Sequence, residues 1–357
     1  MEFLVVGAGM AGAAAGYFLS AYGTVTLLEM ESAPGYHATG RSAALFSEYF
    51  GTPIVRALTA ASRRFLQSPP TDFTGNELLH PRGVLAVGAD DADFAQALAD
   101  GLAAEVPVRR LAADEVSALC PVLKPFPAAM FKPGAMDIDV AALHQGFLSG
   151  IRRCGGRVLT KAGVRRLTRR GARWRAETES GHDYEAPIVV NAAGAWADQL
   201  ATSAGVRPVG LIARRRTACV ADVPGTPRDW PLVTDVADTF YFRPESGGLL
   251  LSAADATETE PGDARPADID VALAAERIER ATTLRIQRIR HAWAGLRTFT
   301  PDESPVLGEA PDQPGFFWMA GFGGYGIQTA PEAGRRLAAA VTGTEGPADA
   351  LSAARFW

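Results

Sequence analysis

The sequence predicts an α/β fold that combines a parallel, Rossmann-like sheet with a second domain built on a mixed sheet. The run Phe3–Val6 is apolar without alternation, as in a strand buried on both faces, and it leads through a glycine-rich turn into an Ala-rich helix and a second strand. Another apolar run at 187–194 ends in small residues, and the strand 316–320 again leads through glycines into a helix. Residues 214–290 are patterned mainly as strands.

The first unit carries the pattern Gly7-x-Gly9-x-x-Gly12, with Glu29 at the end of the second strand. Gly7 permits a tight turn, Gly9 lets the backbone approach a pyrophosphate, and Gly12 lets the helix pack on the strand. The helix N-terminus offers unpaired N–H groups to phosphates, and Glu29 is placed to accept hydrogen bonds from ribose hydroxyls. The complete arrangement favours dinucleotide binding over a βαβ unit without a ligand.

The other elements follow from apolar periodicity and from the positions of glycine and proline. Four prolines between Pro121 and Pro133 indicate a connector or edge structure, and a Pro- and acid-rich loop is expected at 253–266. Glycines at 321–326 predict a ligand-facing turn before the last helix. Helices are expected at 53–67, 92–102, 139–153, 268–283 and 327–341, and a further strand at 83–88.

The segment Arg152–Arg175 is basic and contains no acidic residue. A nucleic-acid surface is one interpretation, but Trp174 is its only aromatic residue that could stack on a base. The stretches 157–160 and 174–177 alternate like strands. A solvated outer face of an antiparallel meander is therefore the preferred interpretation.

Composition limits the class of protein. The 357 residues suffice for two domains, and 47% hydrophobic with 21% charged residues is typical of a globular protein. A net charge of −5 gives no general attraction to nucleic acid or anionic membranes. No apolar run predicts a transmembrane segment and no leader is expected, so the chain is predicted to be cytoplasmic, at most peripheral to the inner membrane. Cys120, Cys154 and Cys219 are expected as reduced thiols, and the histidines show no metal-ligand spacing, so no bound metal is expected.

Several separated motifs resemble the D-amino-acid-oxidase-like flavoproteins, which include glycine and sarcosine oxidases and D-amino acid dehydrogenases. They are the GxGxxG unit with Glu29 and the stretches 35–44 (GYHATGRSAA), 190–196 (VNAAGAW) and 323–329 (GGYGIQT). Within this family the chain is most similar to the bacterial D-arginine dehydrogenases, through the stretches 51–63, 142–153, 204–211, 293–299 and 316–318.

The resemblance implies FAD held without a covalent bond. His37 lies in a context similar to one where some relatives attach the flavin, but no bond is expected here. The last helix would stabilise negative charge on the reduced flavin ring through its dipole. The expected cofactor residues are Gly7, Gly9, Met10, Ala11, Gly12, Glu29, Met30, Arg41, Ser42, Ala43, Ala44, Val164, Ala193, Gly194, Trp196, Gly324, Tyr325, Gly326, Ile327, Gln328 and Thr329.

The resemblance also implies a discontinuous FAD-binding domain formed by 1–75, 139–213 and 291–357. A substrate domain formed by 76–138 and 214–290 would carry the mixed sheet over the flavin, and Ser47–Pro53 would form a lid. A monomer or weak dimer is expected.

By the same resemblance, Arg216, Arg297 and Tyr241 hold the substrate carboxylate, because an arginine fork matches a carboxylate with two parallel charge-assisted bonds. Gln328 and the Gly295 carbonyl are candidates to orient the amine. The other expected pocket residues are Leu45, Ser47, Phe50, Val84 and Gly324.

Three pocket positions depart from the D-arginine dehydrogenase pattern. Val84 replaces a glutamate, Leu45 a histidine and Phe50 a tyrosine, so the pocket is expected to favour apolar or aromatic side chains over cationic ones. Glu48 or Glu77 reaching the pocket would instead restore binding of a cation.

The predicted reaction is oxidative deamination of D-amino acids, with hydride transfer from Cα to flavin N5 and hydrolysis of the imino acid to a 2-oxo acid. A glycine- or sarcosine-type oxidase of secondary amines and a non-catalytic flavin-binding protein are the alternatives. Lys124, Lys132 and Lys161 lie in no flavin-facing motif, which favours a dehydrogenase that uses a quinone or another carrier over an oxidase.

Overall fold

The computed structural model describes residues 1–103, 106–223, 225–346 and 349–357. The helices are α1 (Met10–Leu19), α2 (Pro53–Gln67), α3 (Ala92–Ala103), α4 (Ala113–Leu119), α5 (Val140–Arg153), α6 (Ala197–Ser203), α7 (Asp268–Ala281) and α8 (Gly326–Thr342). The strands are β1 (Glu2–Val6), β2 (Thr24–Leu28), β3 (Leu45–Phe46), β4 (Leu79–Pro81), β5 (Val84–Gly88), β6 (Arg109–Arg110), β7 (Ala128–Lys132), β8 (Met136–Ile138), β9 (Arg157–Leu159), β10 (Val164–Arg170), β11 (Arg173–Thr178), β12 (Asp183–Ala186), β13 (Ile188–Asn191), β14 (Ile212–Ala221), β15 (Leu232–Asp235), β16 (Tyr241–Glu245), β17 (Gly248–Ser252), β18 (Thr257–Glu258), β19 (Ile289–Phe299), β20 (Val306–Glu309), β21 (Phe316–Ala320) and β22 (Phe322–Gly323).

A six-stranded sheet has the order β20-β21-β13-β1-β2-β9 and is parallel except for β20. Alternate residues of β1 enter two different cores. Phe3 and Val5 pack with α1, α5 and α8, whereas Leu4 and Val6 pack with α6 and the antiparallel β10-β11-β12 sheet. Burial on both faces explains why this strand shows no polar alternation.

The second large sheet runs β22-β19-β14-β17-β16-β15-β5-β7-β6, with β18 also paired to β14. Its neighbours are antiparallel except β15 and β5. Leu249 and Leu251 of β17 pack with Ala274 and Ile278 of α7 on one face. Strands β3, β4 and β8 form a small separate sheet.

The predicted fold class is confirmed, and several predicted elements need local correction. The antiparallel meander is formed by β10–β12, but residues 157–159 instead extend the parallel sheet as β9. The proline-rich span contains β7, one strand in from the sheet edge, and the 253–266 loop contains β18. Strand β19 pairs with β14, so sheet membership would move the predicted domain limit at residue 291 to about 300. The domain limits stay a prediction.

None of the helices that the structure describes is long and apolar enough to cross a membrane.

Candidate active site

A cavity of about 1140 Å³ lies between the two large sheets. It extends from the β1–α1 turn of the six-stranded sheet to the strands β7, β14, β16 and β19 of the second sheet. The volume exceeds the range usual for one small-molecule pocket, about 300–1,000 Å³. The cavity therefore has room for a dinucleotide and a second, smaller molecule.

The glycine-rich turn requires its glycines for steric reasons. Gly7 has a φ of +98°, and a Cβ there would lie 2.4 Å from the Ala192 carbonyl oxygen. A Cβ on Gly12 would lie 1.8 Å from the Gly7 carbonyl oxygen, so Gly12 packs behind the turn. Helix α1 begins at Met10 after Gly9, and its N-terminus lines the cavity. The Met10 N–H donates to the Thr39 hydroxyl at 2.9 Å. These features suit a pyrophosphate.

Glu29 lies at the end of β2 and lines the same end of the cavity. Its carboxylate accepts 2.9 Å hydrogen bonds from the backbone N–H groups of Ala8 and Glu31, and it is 7% exposed. His144 supports the turn from below, since its Nε2 lies 2.9 Å from the Ala8 carbonyl oxygen. Burial lowers the pKa of His144. Because a carbonyl oxygen only accepts, the Nε2–H of His144 donates this bond. No local pattern in the sequence points to this contact.

His37 and Trp196 form one wall of the cavity. The His37 Nε2 lies 2.9 Å from a Glu31 carboxylate oxygen, and its ring centroid lies 4.8 Å from that of Trp196. This pairing orients the imidazole within the cofactor end of the cavity.

The other predicted cofactor residues differ in their placement. Thr329 lies behind the cavity wall, where its hydroxyl donates to the Tyr325 carbonyl. The guanidinium of Arg41 donates to the carbonyls of Ala264 and Ala294 and pairs with Asp263, so it holds the 253–266 loop rather than standing free for a pyrophosphate. The remaining predicted residues that line the cavity are Met30, Ser42, Ala43, Ala44, Val164, Ala193, Gly194, Gly324, Tyr325, Gly326, Ile327 and Gln328.

The three predicted carboxylate-binding residues all line the other end of the cavity. Arg216 of β14 is paired directly with Gly295 of β19, which places Arg216 and Arg297 on one face of the sheet. Tyr241 of β16 lies two strands farther along, beyond β17. A Cβ on Gly295 would lie 3.4 Å from the Arg41 Cβ, so the missing side chain lets β19 approach the segment that contains Ala38 and Arg41.

Two of these three side chains have no hydrogen-bond partner in the described part of the chain, and the third uses one of its five donors. Among the described residues, none bonds to the guanidinium of Arg297 or to the hydroxyl of Tyr241. Arg216 donates through Nε to the Asp255 carbonyl at 2.7 Å, and its Nη2 lies 3.6 Å from an Asp238 carboxylate oxygen. Burial, and next the positive charge of Arg216, lowers the pKa of Arg297. Because arginine nevertheless stays charged, this end of the cavity favours an anionic ligand.

Gln328 makes three hydrogen bonds to other residues of the protein. Its Oε1 accepts from the Ser47 N–H at 2.9 Å, and its Nε2 donates to the Thr59 hydroxyl at 2.9 Å and the Ser47 carbonyl at 3.3 Å. The amide fixes the 47–53 segment to α2 and α8, and both of its N–H groups are used there. A role for Gln328 in orienting a substrate amine stays a prediction. Ser47, bound in this way, lies outside the cavity lining.

Among the predicted specificity residues, Leu45 and Phe50 line the cavity, whereas Val84 is fully buried just beneath its surface. Neither acid proposed to restore a negative charge does so. Glu48 makes a two-point ion pair with Arg63 at 2.9 and 2.7 Å, and the Glu77 side chain is 87% exposed.

Lys132 lines the cavity although it belongs to none of the matched motifs. Motifs alone therefore missed a lysine that lines the cavity. The choice between a dehydrogenase and an oxidase stays a prediction. Sequence offered no signal for this position, because β7 lies within a proline-rich span whose pairing is set by the tertiary fold.

Comparison with known proteins finds one family model that matches most of the chain and several curated proteins that match part of it. The family model described as "FAD dependent oxidoreductase" matches residues 2–340. Among curated proteins, the chain is 32% identical over 174 residues to FAD-dependent oxidoreductase domain-containing protein 1 of Bos taurus, with 44% of this chain and 36% of that protein covered. It is 31% identical over 186 residues to mitochondrial sarcosine dehydrogenase of Mus musculus, with 49% and 19% covered. It is 26% identical over 245 residues to human mitochondrial dimethylglycine dehydrogenase, with 63% and 28% covered. The matches thus span about a fifth to a third of these relatives.

Two solved structures show the same fold over almost the whole chain. Glycine oxidase from Geobacillus kaustophilus superposes with a TM-score of 0.86 at 23% identity, covering 97% of this chain and 96% of that one. L-proline dehydrogenase from P. horikoshii superposes with a TM-score of 0.87 at 20% identity, covering 99% and 97%. The similarity to D-arginine dehydrogenases in particular is not confirmed.

Proposed function

Because the chain belongs to the FAD dependent oxidoreductase family, with FAD as its cofactor, we propose that it oxidises the carbon–nitrogen bond of a small secondary amine that carries a carboxylate, of the sarcosine or glycine type. The observation that carries the proposal is the group of Arg216, Arg297 and Tyr241 at one end of a dinucleotide-sized cavity. The names of the sarcosine and dimethylglycine dehydrogenases among the relatives support N-alkylated substrates.

FAD, when bound, supplies a hydride acceptor for the carbon attached to the amine nitrogen. The turn containing Gly7 and Gly9 and the N-terminus of α1 would hold its pyrophosphate, and Glu29 its ribose. The N-terminus of α8 lines the cavity without a side-chain cap, so its N–H groups and dipole are available to a group that gains negative charge.

The chain's own contribution to the reaction is positioning. The Arg297 guanidinium donates two parallel hydrogen bonds to the substrate carboxylate, Tyr241 donates a further one, and Arg216 adds positive charge. Fixing the carboxylate limits the rotation of the adjoining carbon and so sets which C–H bond faces the cofactor. The apolar side chains of Leu45 and Phe50 exclude water from this end of the cavity.

Oxidative deamination of D-amino acids with apolar side chains is the second candidate. It is supported by the motif matches at 51–63, 142–153 and 293–299, by Leu45 and Phe50 in the cavity lining, and by the apolar residue Val84 buried beneath that lining. Both candidates use the same carboxylate-binding residues, so the substrate panel decides between them.

The test is anaerobic bleaching of the bound flavin by sarcosine, N,N-dimethylglycine, glycine, L-proline and D-leucine, D-methionine and D-phenylalanine. Faster bleaching by N-methylated glycines than by any D-amino acid supports the main proposal, and the reverse order supports the second candidate. Arg297→Met is expected to abolish bleaching, whereas the control Arg170→Met, on the exposed side of β10, retains it. A flavin that none of these amines bleaches would refute both. Admission of air then measures reoxidation, which separates an oxidase from a dehydrogenase.

A further inference from the structure

Lys132 is a buried lysine in the part of the cavity where the substrate side chain is expected to lie. In the sheet it is paired directly with Val84 of β5, which in turn is paired with Leu232 of β15, so the three side chains share one face. Lys132 is 4% exposed and borders the cavity together with Leu232 and Phe50. The ammonium therefore lies beside Val84, the position at which the sequence predicted the loss of a negative charge.

The environment of this ammonium is aromatic. The Nζ of Lys132 lies 3.2 Å from the ring centroid of Tyr49 and 4.9 Å from that of Phe50. The Tyr49 hydroxyl donates to the Ala97 carbonyl, which fixes the ring beneath the ammonium. Aromatic faces stabilise a cation but accept none of its three N–H bonds in the ordinary way.

No carboxylate in the described part of the chain forms an ion pair with Lys132. Glu48 is paired with Arg63, and Asp137 with Arg82 and Arg243. Asp235 of β15, which also lines the cavity, accepts hydrogen bonds from the N–H and hydroxyl of Thr239. An uncompensated cation in a buried site is costly, and a ligand anion that reaches it removes that cost.

We infer that Lys132 binds a second acidic group of the substrate, so that the preferred substrates are amino dicarboxylates rather than apolar amino acids. The inference rests on the proposed function, because the first carboxylate is assigned to Arg297 and Tyr241. This inference replaces the expectation, drawn from Val84, that the pocket is apolar. Val84 and Leu232 are apolar, but Lys132 beside them adds a positive charge.

The two proposed anion-binding points belong to separate strands of one sheet. Three strand steps separate β7 from β16 in the sheet, which is about 14 Å between backbones. The registers through β5 and β15 place Lys132 and Tyr241 on the same face of the sheet, so a substrate with two acidic groups can lie across that face between them.

The first experiment measures binding without turnover. Glutarate and butyrate, which carry two and one carboxylates, are titrated into the holoenzyme while the flavin absorption spectrum is followed. The wild-type protein is expected to bind glutarate at least tenfold more tightly than butyrate. Lys132→Met is expected to abolish that preference and Lys132→Arg to keep most of it. The control Lys161→Met makes the same change at an exposed lysine outside the cavity, and it is expected to keep the wild-type ratio.

The second experiment compares turnover of iminodiacetate with that of sarcosine. The ratio of their kcat/KM values is expected to fall at least 30-fold in Lys132→Met. FAD content and melting temperature of each variant show whether it is folded. An unchanged glutarate-to-butyrate ratio in a folded Lys132→Met protein overturns the inference, even if sarcosine is oxidised. If no amine bleaches the flavin but the glutarate preference depends on Lys132, the proposed reaction is wrong and the anion site stands.

Discussion

Replacing Gly324 with alanine tests whether Arg297 holds the substrate carboxylate. A Cβ built on Gly324 would lie 3.0 Å from the Arg297 Cζ, 3.1 Å from Nη1 and 3.2 Å from Nε. Ordinary carbon–carbon contacts are about 3.5–4.0 Å, so the guanidinium must move by about 0.5 Å or more. The φ of Gly324 is not in the left-handed region, so alanine adds the contact without backbone strain.

The size of the effect follows from the geometry of the fork. A shift of this size misaligns one of two parallel bonds to the carboxylate, and a hydrogen bond involving charged groups contributes about 1.5–3 kcal/mol. Such a loss corresponds to a drop of roughly 10- to 150-fold in kcat/KM. Stopped-flow bleaching of the flavin across substrate concentrations measures it.

The matched control for this substitution is Gly134→Ala. A Cβ at Gly134 meets no atom within 4 Å, and this glycine also lacks a positive φ. It should behave like the wild type. If Gly324→Ala changes kcat/KM less than threefold while Arg297→Met eliminates activity, the guanidinium accommodates the methyl group and the steric argument fails. If both variants stay active, the carboxylate is bound elsewhere.

Four other outcomes are expected. Glu29→Gln should weaken FAD binding to the apoprotein by roughly 10-fold or more, measured by fluorescence titration, because a neutral amide accepts more weakly from Ala8, Glu31 and a ribose. Gln328→Leu should lower the free energy of unfolding by about 2–3 kcal/mol, since it leaves the buried Ser47 N–H unpaired; chemical denaturation checks this. Burial lowers the pKa of Lys132 from 10.5 to about 7, so the unfolded chain binds the proton more tightly and stability rises with pH between about 7 and 10.5. Lys132→Met should therefore be more stable than the wild type at pH 6, with the difference vanishing near pH 10.5; equal melting temperatures at pH 6 would contradict this. Acid precipitation should release all of the FAD into the supernatant, whereas yellow colour retained in the pellet would indicate a covalent bond, with His37 as the candidate.

The sequence was most informative where one residue type has one steric or chemical reason to be present. Gly7 and Gly12 are required by contacts with backbone atoms less than 2.5 Å from a hypothetical Cβ, so their spacing alone indicated the turn. Helix α2 was predicted at its observed limits because proline begins it and apolar residues recur along one face.

Sequence was least informative where a side chain has several partners available. Gln328 and Arg41 were assigned to ligands because of the motifs that contain them. The fold supplies protein partners for both, in the Ser47 backbone and the Asp263 loop. These pairings join residues more than 200 positions apart, and neither periodicity nor local composition reports contacts of that range.

The charge of the pocket shows the same limit with a larger consequence. The sequence shows valine at position 84, where the D-arginine dehydrogenase pattern has a glutamate. Taken alone, this difference predicts an apolar site. The residue that decides the charge lies on the next strand, because the β5–β7 register places Lys132 directly beside Val84. A shift of that register by one residue would turn Lys132 to the other face of the sheet and leave Val84 with an uncharged neighbour. Specificity at this end of the cavity is therefore a property of strand pairing, and the charge of one position can be interpreted only together with its cross-strand partner.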